Sequence, residues 1–247
     1  MKWLFFYAHP DDESVAAGGT IKMLSDLGDK VVIVYSTWGE AGKIQNNEVL
    51  GMSRKKFDNL GGGLKRGLVY EIRKKELEKA NSILGVNEYE GLDYGDGDIS
   101  NKLVWGDLTN TFVELIEKHK PDALVTFDHT GWYFHMDHVG TSLATVKAME
   151  KAKHKVDLLL FNIFHPLGIK SKWKYVYPKK FPTTHKVDIS SVRKFKRRAL
   201  RAHKSQNLIL VKSLDEGRLD EELYQLVKST KKGKGLLGSN KMFAEVK

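Results

Sequence analysis

Two short clusters in this 247-residue chain collect the side chains that could do chemistry: Ala8-His9-Pro10-Asp11-Asp12-Glu13 and Tyr133-Phe134-His135-Met136-Asp137-His138. His9 and Asp12 are three residues apart on a turn, so an imidazole and a carboxylate can converge on one ion while Asp11 stays free beside it. His135 and His138 are one helical turn apart and can face the same point, and spacing alone does not choose between them as a ligand. The chain has no cysteine, which excludes a disulfide framework, a thiolate zinc finger and a Cys nucleophile. Any metal must therefore be held by His and carboxylates. Such a set suits Zn²⁺ or another borderline divalent ion such as Fe²⁺, and three protein ligands leave a position open for water, as in catalytic sites. Each cluster alone has a plainer explanation, because an Asp before a helix is usually an N-cap and a lone His at a strand end is usually structural. Two clusters of the same chemistry at equivalent junctions outweigh it.

The elements that must position these groups follow from the apolar pattern. Short apolar runs at 3–8, 31–37, 86–89, 123–127 and 158–163 read as strands, and the segments 13–27, 73–84, 103–120 and 138–153 carry apolar residues at helical spacing. Gly28, Gly85 and Pro121 fall where those helices should stop. The alternation predicts a Rossmann-like, three-layer α/β/α fold with a mostly parallel sheet, whose site lies at the carboxyl ends of its strands. Both clusters follow a strand and open a helix, so both belong on that edge. The 39–68 segment is longer than an ordinary connection and reads as a small helix around Val49, Met52, Lys56 and Leu60, followed by a flexible hinge at Gly61-Gly62-Gly63. Beyond residue 165 the chain becomes Pro-containing and basic, and Val192, Phe195, Ala199 and Ala202 mark one more helix. The expected organisation is a single domain over 1–247, with a catalytic layer at 1–165 and a basic extension, 166–247, packed on it.

Composition excludes little else. Lys and Arg number 41 against 31 Asp and Glu, a formal +10 that raises the question of an anionic partner. Residues 1–169 carry 20 basic and 24 acidic side chains, residues 170–247 carry 21 and 7, so the whole excess is C-terminal. Arg193, Lys194, Lys196, Arg197, Arg198, Arg201 and Lys204 crowd one helix and read as a solvated outer face, which disfavours nucleic acid as partner. The apolar start at 1–8 is too short for an export signal, and no stretch reaches the length of a spanning helix, so a cytoplasmic protein is expected.

The residues also carry a resemblance. The His9-Pro10-Asp11-Asp12-Glu13 signature, Gly18-Gly19-Thr20, the turn from Thr37 to Gly42, Asp96-Gly97, the His135 to His138 element, and the late stretches Val187-Asp188-Ile189-Ser190 and His203-Lys204-Ser205-Gln206 resemble the LmbE/PIG-L family of zinc-dependent de-N-acetylases. By position, the resemblance implies that His9, Asp12 and His138 bind one zinc ion and that Asp11 is the general base. It implies further that Tyr133 stabilises the oxyanion and that His135 is the acid or electrostatic partner that helps the amine leave. Asp137 then orients an imidazole, while Arg73 and Asp96 hold the sugar. Glu13 reads instead as a carboxylate serving a helix N-terminus, and His129 and His203 as structural or supporting groups. Phe134 and Met136 replace a small residue and a proline of the family element and should narrow the pocket.

The function so implied is hydrolysis of the acetamide of an N-acetylglucosamine-containing sugar or glycoconjugate to acetate and a free amine. Two rivals are a zinc amidase acting on another N-acyl or thiol-conjugate substrate, and an anionic-polymer binding protein whose metal site is only structural. Assembly into a homo-oligomer is compatible with the sequence.

Overall fold

A computed structural model describes residues 1–163, 183–206 and 220–246. The Pro-containing basic stretch falls largely on residues 164–182, outside the described residues. The first strand, β1 (Lys2–Tyr7), is apolar on both sides because a parallel sheet is covered on both faces. Trp3, Phe5 and Tyr7 point into one core and Leu4 and Phe6 into the other. After β1 come α1 (Asp12–Ala16), α2 (Gly18–Asp26), β2 (Lys30–Tyr35), α3 (Arg54–Asp58), α4 (Gly62–Leu84) and β3 (Glu88–Gly91). They are followed by α5 (Trp105–His119), β4 (Ala123–Phe127), α6 (Met136–Lys151) and β5 (Leu158–Ile163). The remainder supplies β6 (His185–Asp188), α7 (Arg193–Ala202), β7 (Glu221–Ser229), α8 (Lys231–Ser239) and β8 (Phe243–Glu245).

These strands form one eight-stranded sheet in the order β3-β2-β1-β4-β5-β7-β6-β8. The pairs among β1 to β5 are parallel, and the last three strands add on antiparallel. Ile21 and Leu24 of α2, Leu77, Ala80 and Leu84 of α4, and Ala199 and Ala202 of α7 cover one face. Leu108, Phe112, Leu115 and Ile116 of α5 with Ala144 and Ala148 of α6 cover the other. The three-layer α/β/α architecture with a mostly parallel sheet is therefore present. Because β2 and β4 flank β1 and lead to opposite sides of the sheet, the crevice of a doubly wound fold opens at the carboxyl ends of β1 and β4.

Three expectations need correction. The helix read over 13–27 is two, broken at Ala17 (φ −133°), where a Cβ on Gly19 would meet Ile189 at 2.4 Å. The small residues there let α2 approach the C-terminal part of the chain. The glycine hinge is the start of α4, with Gly61 as its N-cap, and Val69, Arg73, Leu77, Ala80 and Leu84 hold that helix down along one buried stripe. Packing of the stripe outweighs the helix-weakening effect of glycine. The 39–68 segment does contain a small helix, α3, and Ile44, Leu50, Phe57 and Val69 give it a core of its own. Finally, the basic helix α7 is not simply a solvated face: Lys196 is buried against Glu222 with Nζ–Oε1 at 2.5 Å, and Arg193 pairs with Asp220 at 2.8 Å.

Candidate active site

The two clusters meet because β1 and β4 are neighbours in register, Trp3 opposite Ala123. The chain leaving β1 turns through Asp11 at φ 114°, a left-handed conformation that costs a non-glycine residue roughly 1–3 kcal/mol and persists only where neighbours impose it. The chain leaving β4 runs through a tight turn with Gly131, Trp132 and Phe134 all at positive φ. A Cβ on Gly131 would lie 2.7 Å from that of His138, so glycine is needed for the turn to close over α6. His138 is fully buried between Phe127, stacked at 4.1 Å, and Trp132, edge-on at 5.2 Å.

His9 Nδ1 and His138 Nε2 stand 3.2 Å apart, His138 Nε2 and Asp12 Oδ1 3.4 Å, and His9 Nδ1 and Asp12 Oδ2 3.7 Å. Ligands of a tetrahedral ion bound at 2.0–2.1 Å are separated by about 3.3 Å, so the His9 and His138 nitrogens are spaced for one such ion, and Asp12 flanks the pair with Oδ1 toward His138 and Oδ2 toward His9. The ring nitrogens of His9, His135 and His138 also lie within 4.8 Å of one another, and His135 stacks on His138 at 4.6 Å. The donor chemistry agrees. Two imidazole nitrogens and a carboxylate that converge need a proton or a cation between them. Burial pushes the Asp12 carboxyl up to about 8. Burial pulls the His9 imidazole down, but its bonds to Asp137 and Asp96 outweigh this and raise it to about 10. His138, by contrast, is held well below its usual range by burial and by the His9 charge, which is the neutral form a ligand requires.

Around this triangle the carboxylates and Arg73 have identifiable anchors. His9 Nε2 faces Asp137 Oδ2 at 3.3 Å and Asp96 Oδ1 at 3.3 Å, which leaves Nδ1 directed to the triangle. Asp137 is fixed in turn by the Gly97 amide at 2.9 Å, and Asp96 by the Ala41 amide at 2.9 Å. Asp96 is desolvated, yet the bond from His9 more than compensates and lowers it to about 2. Asp11 is raised by burial and drawn down again by Arg73, whose Nη2 lies 3.0 Å from Asp11 Oδ2. Arg73 is itself buried, donating to the carbonyls of Gly39 and Pro10, so it grips the turn that carries Asp11. Tyr133 is half exposed with its ring 5.5 Å from that of His138. Burial, then the His9 charge, pulls His135 down and favours its neutral form. Phe134 and Met136 are half exposed.

Sequence reasoning passed over several contributors. Glu40 accepts the Asp96 amide at 2.8 Å, and its signal was a carboxylate in a Gly-flanked turn at the end of β2, on the same sheet edge. Glu13, read as a carboxylate serving a helix N-terminus, and His203, read as a structural or supporting group, are fully buried against each other at 3.1 Å. Their partnership spans 190 residues of sequence separation and has no local signature.

Residues 4–149 match the family described as GlcNAc-PI de-N-acetylase (PIG-L). The 1D-myo-inositol 2-acetamido-2-deoxy-alpha-D-glucopyranoside deacetylase of Saccharomonospora viridis is 30% identical over 235 residues, 82% of this chain and 84% of its own length. The protein of the same name from Thermomonospora curvata is 32% identical over 165 residues, 60% of this chain. That match spans 52%, about half, of the relative's length. Among solved structures, N,N'-diacetylchitobiose deacetylase from Pyrococcus horikoshii is similar with TM-score 0.64 and 22% identity, over 92% of this chain and 83% of that one. A 4-carboxy-2-hydroxymuconate hydratase from Pseudomonas putida is similar with TM-score 0.70 and 18% identity, over 93% and 98%. At such identities the likeness establishes the fold.

Proposed function

The chain belongs to the GlcNAc-PI de-N-acetylase (PIG-L) family, and we propose that it is a zinc-dependent hydrolase that removes acetyl from an N-acetylglucosamine-containing small molecule. The observation that carries this reading is the convergence of His9, Asp12 and His138, with 3.2 Å between the two imidazole nitrogens, Asp12 Oδ1 at 3.4 Å from His138 and Asp12 Oδ2 at 3.7 Å from His9, and the Asp11 carboxylate anchored beside them by Arg73. His9, Asp12 and His138 would hold the ion, with Asp137 and Asp96 fixing the His9 ring. Bound there, zinc supplies Lewis acidity and lowers the pKa of a coordinated water toward 7.

The remaining chemistry falls to the chain. Asp11, raised by burial, is the base that takes a proton from the attacking water, and Arg73 holds one of its oxygens, Oδ2, at 3.0 Å. The hydroxyl of Tyr133, whose ring lies 5.5 Å from that of His138, donates to the carbonyl oxygen as negative charge develops there. His135 is the group on the leaving side that stabilises or protonates the amine. Asp96 and Arg73 border the space where the sugar sits, though both spend bonds on the protein itself.

The substrate class is a small polar glycoside, such as the inositol glucosaminide in the name of the curated relatives, and such a substrate suits a cytoplasmic enzyme. No helix among the described residues is long and apolar enough to cross a membrane. Residues 1–165 and 166–247 act as one domain, a reading supported by the three strands that the second part adds to the sheet. The test is metal analysis combined with amine release from N-acetylglucosamine, diacetylchitobiose, and inositol- and malate-linked N-acetylglucosaminides. Bound zinc with turnover of at least one of them is expected, and zinc-loaded protein that releases amine from none contradicts the proposal.

A further inference from the structure

We infer that Glu13 and His203 form a positioning pair for Asp11, through which the C-terminal part of the chain sets the geometry of the proposed base. The inference rests on the reading of Asp11 as general base. It begins with the strain: Asp11 holds φ 114° as the N-cap of α1 without a side-chain cap bond of its own. What holds its backbone is Glu13, whose Oε2 accepts the Asp11 amide at 3.0 Å, a carboxylate reaching back to the N-cap N–H. The other carboxylate oxygen of Glu13 accepts from Ser14 Oγ at 2.5 Å and from His203 Nε2 at 3.1 Å. Glu13, Ser14 and His203 are all sealed from solvent.

His203 ends α7 and is itself immobilised. Two residues on, Ser205 donates its amide and its hydroxyl to Glu76 at 2.8 and 2.7 Å. Glu76 lies one turn of α4 beyond Arg73, the residue that grips the side chain of Asp11. One helix thus carries two clamps. Arg73 holds the Asp11 carboxylate directly, and Glu76 holds the segment whose histidine holds Glu13, which holds the Asp11 amide. A helix-dipole role would require of residue 13 only a negative charge near an N-terminus, and it would give a buried His203 no reason to face it.

A displacement of about 1 Å in a reacting group can cost on the order of a hundredfold in rate, so loss of the pair should lower kcat rather than raise KM. The experiment uses zinc-loaded full-length protein with N-acetylglucosamine as probe, or whichever N-acetylglucosaminide the substrate panel turns over. Wild type is compared with His203→Leu, His203→Gln, Glu13→Gln and Asp11→Asn for kcat, KM, zinc content and Tm, together with hydrogen exchange at the Asp11 amide. His203→Leu should lose tenfold or more in kcat with KM and zinc content unchanged, and the Asp11 amide should exchange faster. His203→Gln, which keeps a donor for Glu13, should recover most of that loss. Glu13→Gln should weaken Asp11 amide protection even if His203→Leu does not fold. A His203→Leu protein within twofold of wild-type kcat, or an Asp11 amide equally protected in Glu13→Gln, overturns the inference. Full activity in Asp11→Asn would instead overturn the role of Asp11 on which it rests.

Discussion

At the scale of single residues, the proposed roles separate His9, Asp12 and His138, which would hold a cation, from Asp11, which would act beside it. Asp11→Asn removes a base without touching the triangle, so it should keep zinc and lose about a hundredfold or more in kcat. His9→Ala should lose both zinc and turnover, and parallel zinc loss in the two variants would show that Asp11 is a ligand. The buried charges give a pH signature. His9 is raised from 6.5 to about 10 and Asp12 from 3.8 to about 8, so with chelator present the folded chain binds more protons than the unfolded chain across that range. The His9 contribution to stability is full below 6.5 and is lost as pH rises through about 10. Asp12, raised rather than lowered, becomes increasingly destabilising as pH rises from 3.8 to about 8. The Tm of chelated protein should therefore fall between pH 6.5 and 10, and zinc should raise Tm more at the alkaline end. A zinc-induced shift that shrinks with pH would contradict these assignments. The clusters at 8–13 and 133–138 were legible because consecutive His and Asp residues announce themselves. The role of Glu40 and the pairing of Glu13 with His203 were not, because each gains its meaning from a partner that only folding supplies.

At the scale of elements, the parallel strands were readable because continuous apolar runs bounded by glycine and proline have few alternatives in a sheet covered on both faces. The glycines do opposite things that the sequence does not distinguish. Gly67 lies within α4 with nothing within 4 Å of an added Cβ, whereas Gly19 faces Ile189 at 2.4 Å. Gly67→Ala should therefore stabilise by roughly 0.5–1 kcal/mol, visible as a small rise in Tm. Gly19→Ala should destabilise by about 1–3 kcal/mol through overpacking, and equal effects of the two in thermal unfolding would show that α2 does not press on Ile189 as described. The strands β6, β7 and β8 were illegible for another reason. β6 and β8 are only four and three residues long, β7 interleaves charged and apolar residues, and together they complete an edge whose apolar partner, β5, lies far back in the chain.

At the scale of the whole molecule, the C-terminal basic excess is partly structural. Lys196 is 3% exposed, bonded to Glu222, which also accepts the amides of Gly19 and Thr20 at 2.9 and 2.7 Å. This ties β7 and α7 to the helix that follows the first cluster. Lys196→Ala leaves a buried carboxylate without its cation and should cost about 3–5 kcal/mol in chemical denaturation, while replacing Arg198 on the same helix should cost well under 1 kcal/mol. A sequence charge count cannot tell these two cations apart, because burial is a property of the fold. The central claim is that one metal ion held by His9, Asp12 and His138 makes the chain a deacetylase, and it is tested most directly by titrating zinc into chelated protein while following acetate release. Activity should be absent at first, rise with added zinc and level off at one equivalent per chain. Full activity in the chelated protein, or none at saturation against every N-acetylglucosaminide in the panel, would contradict it.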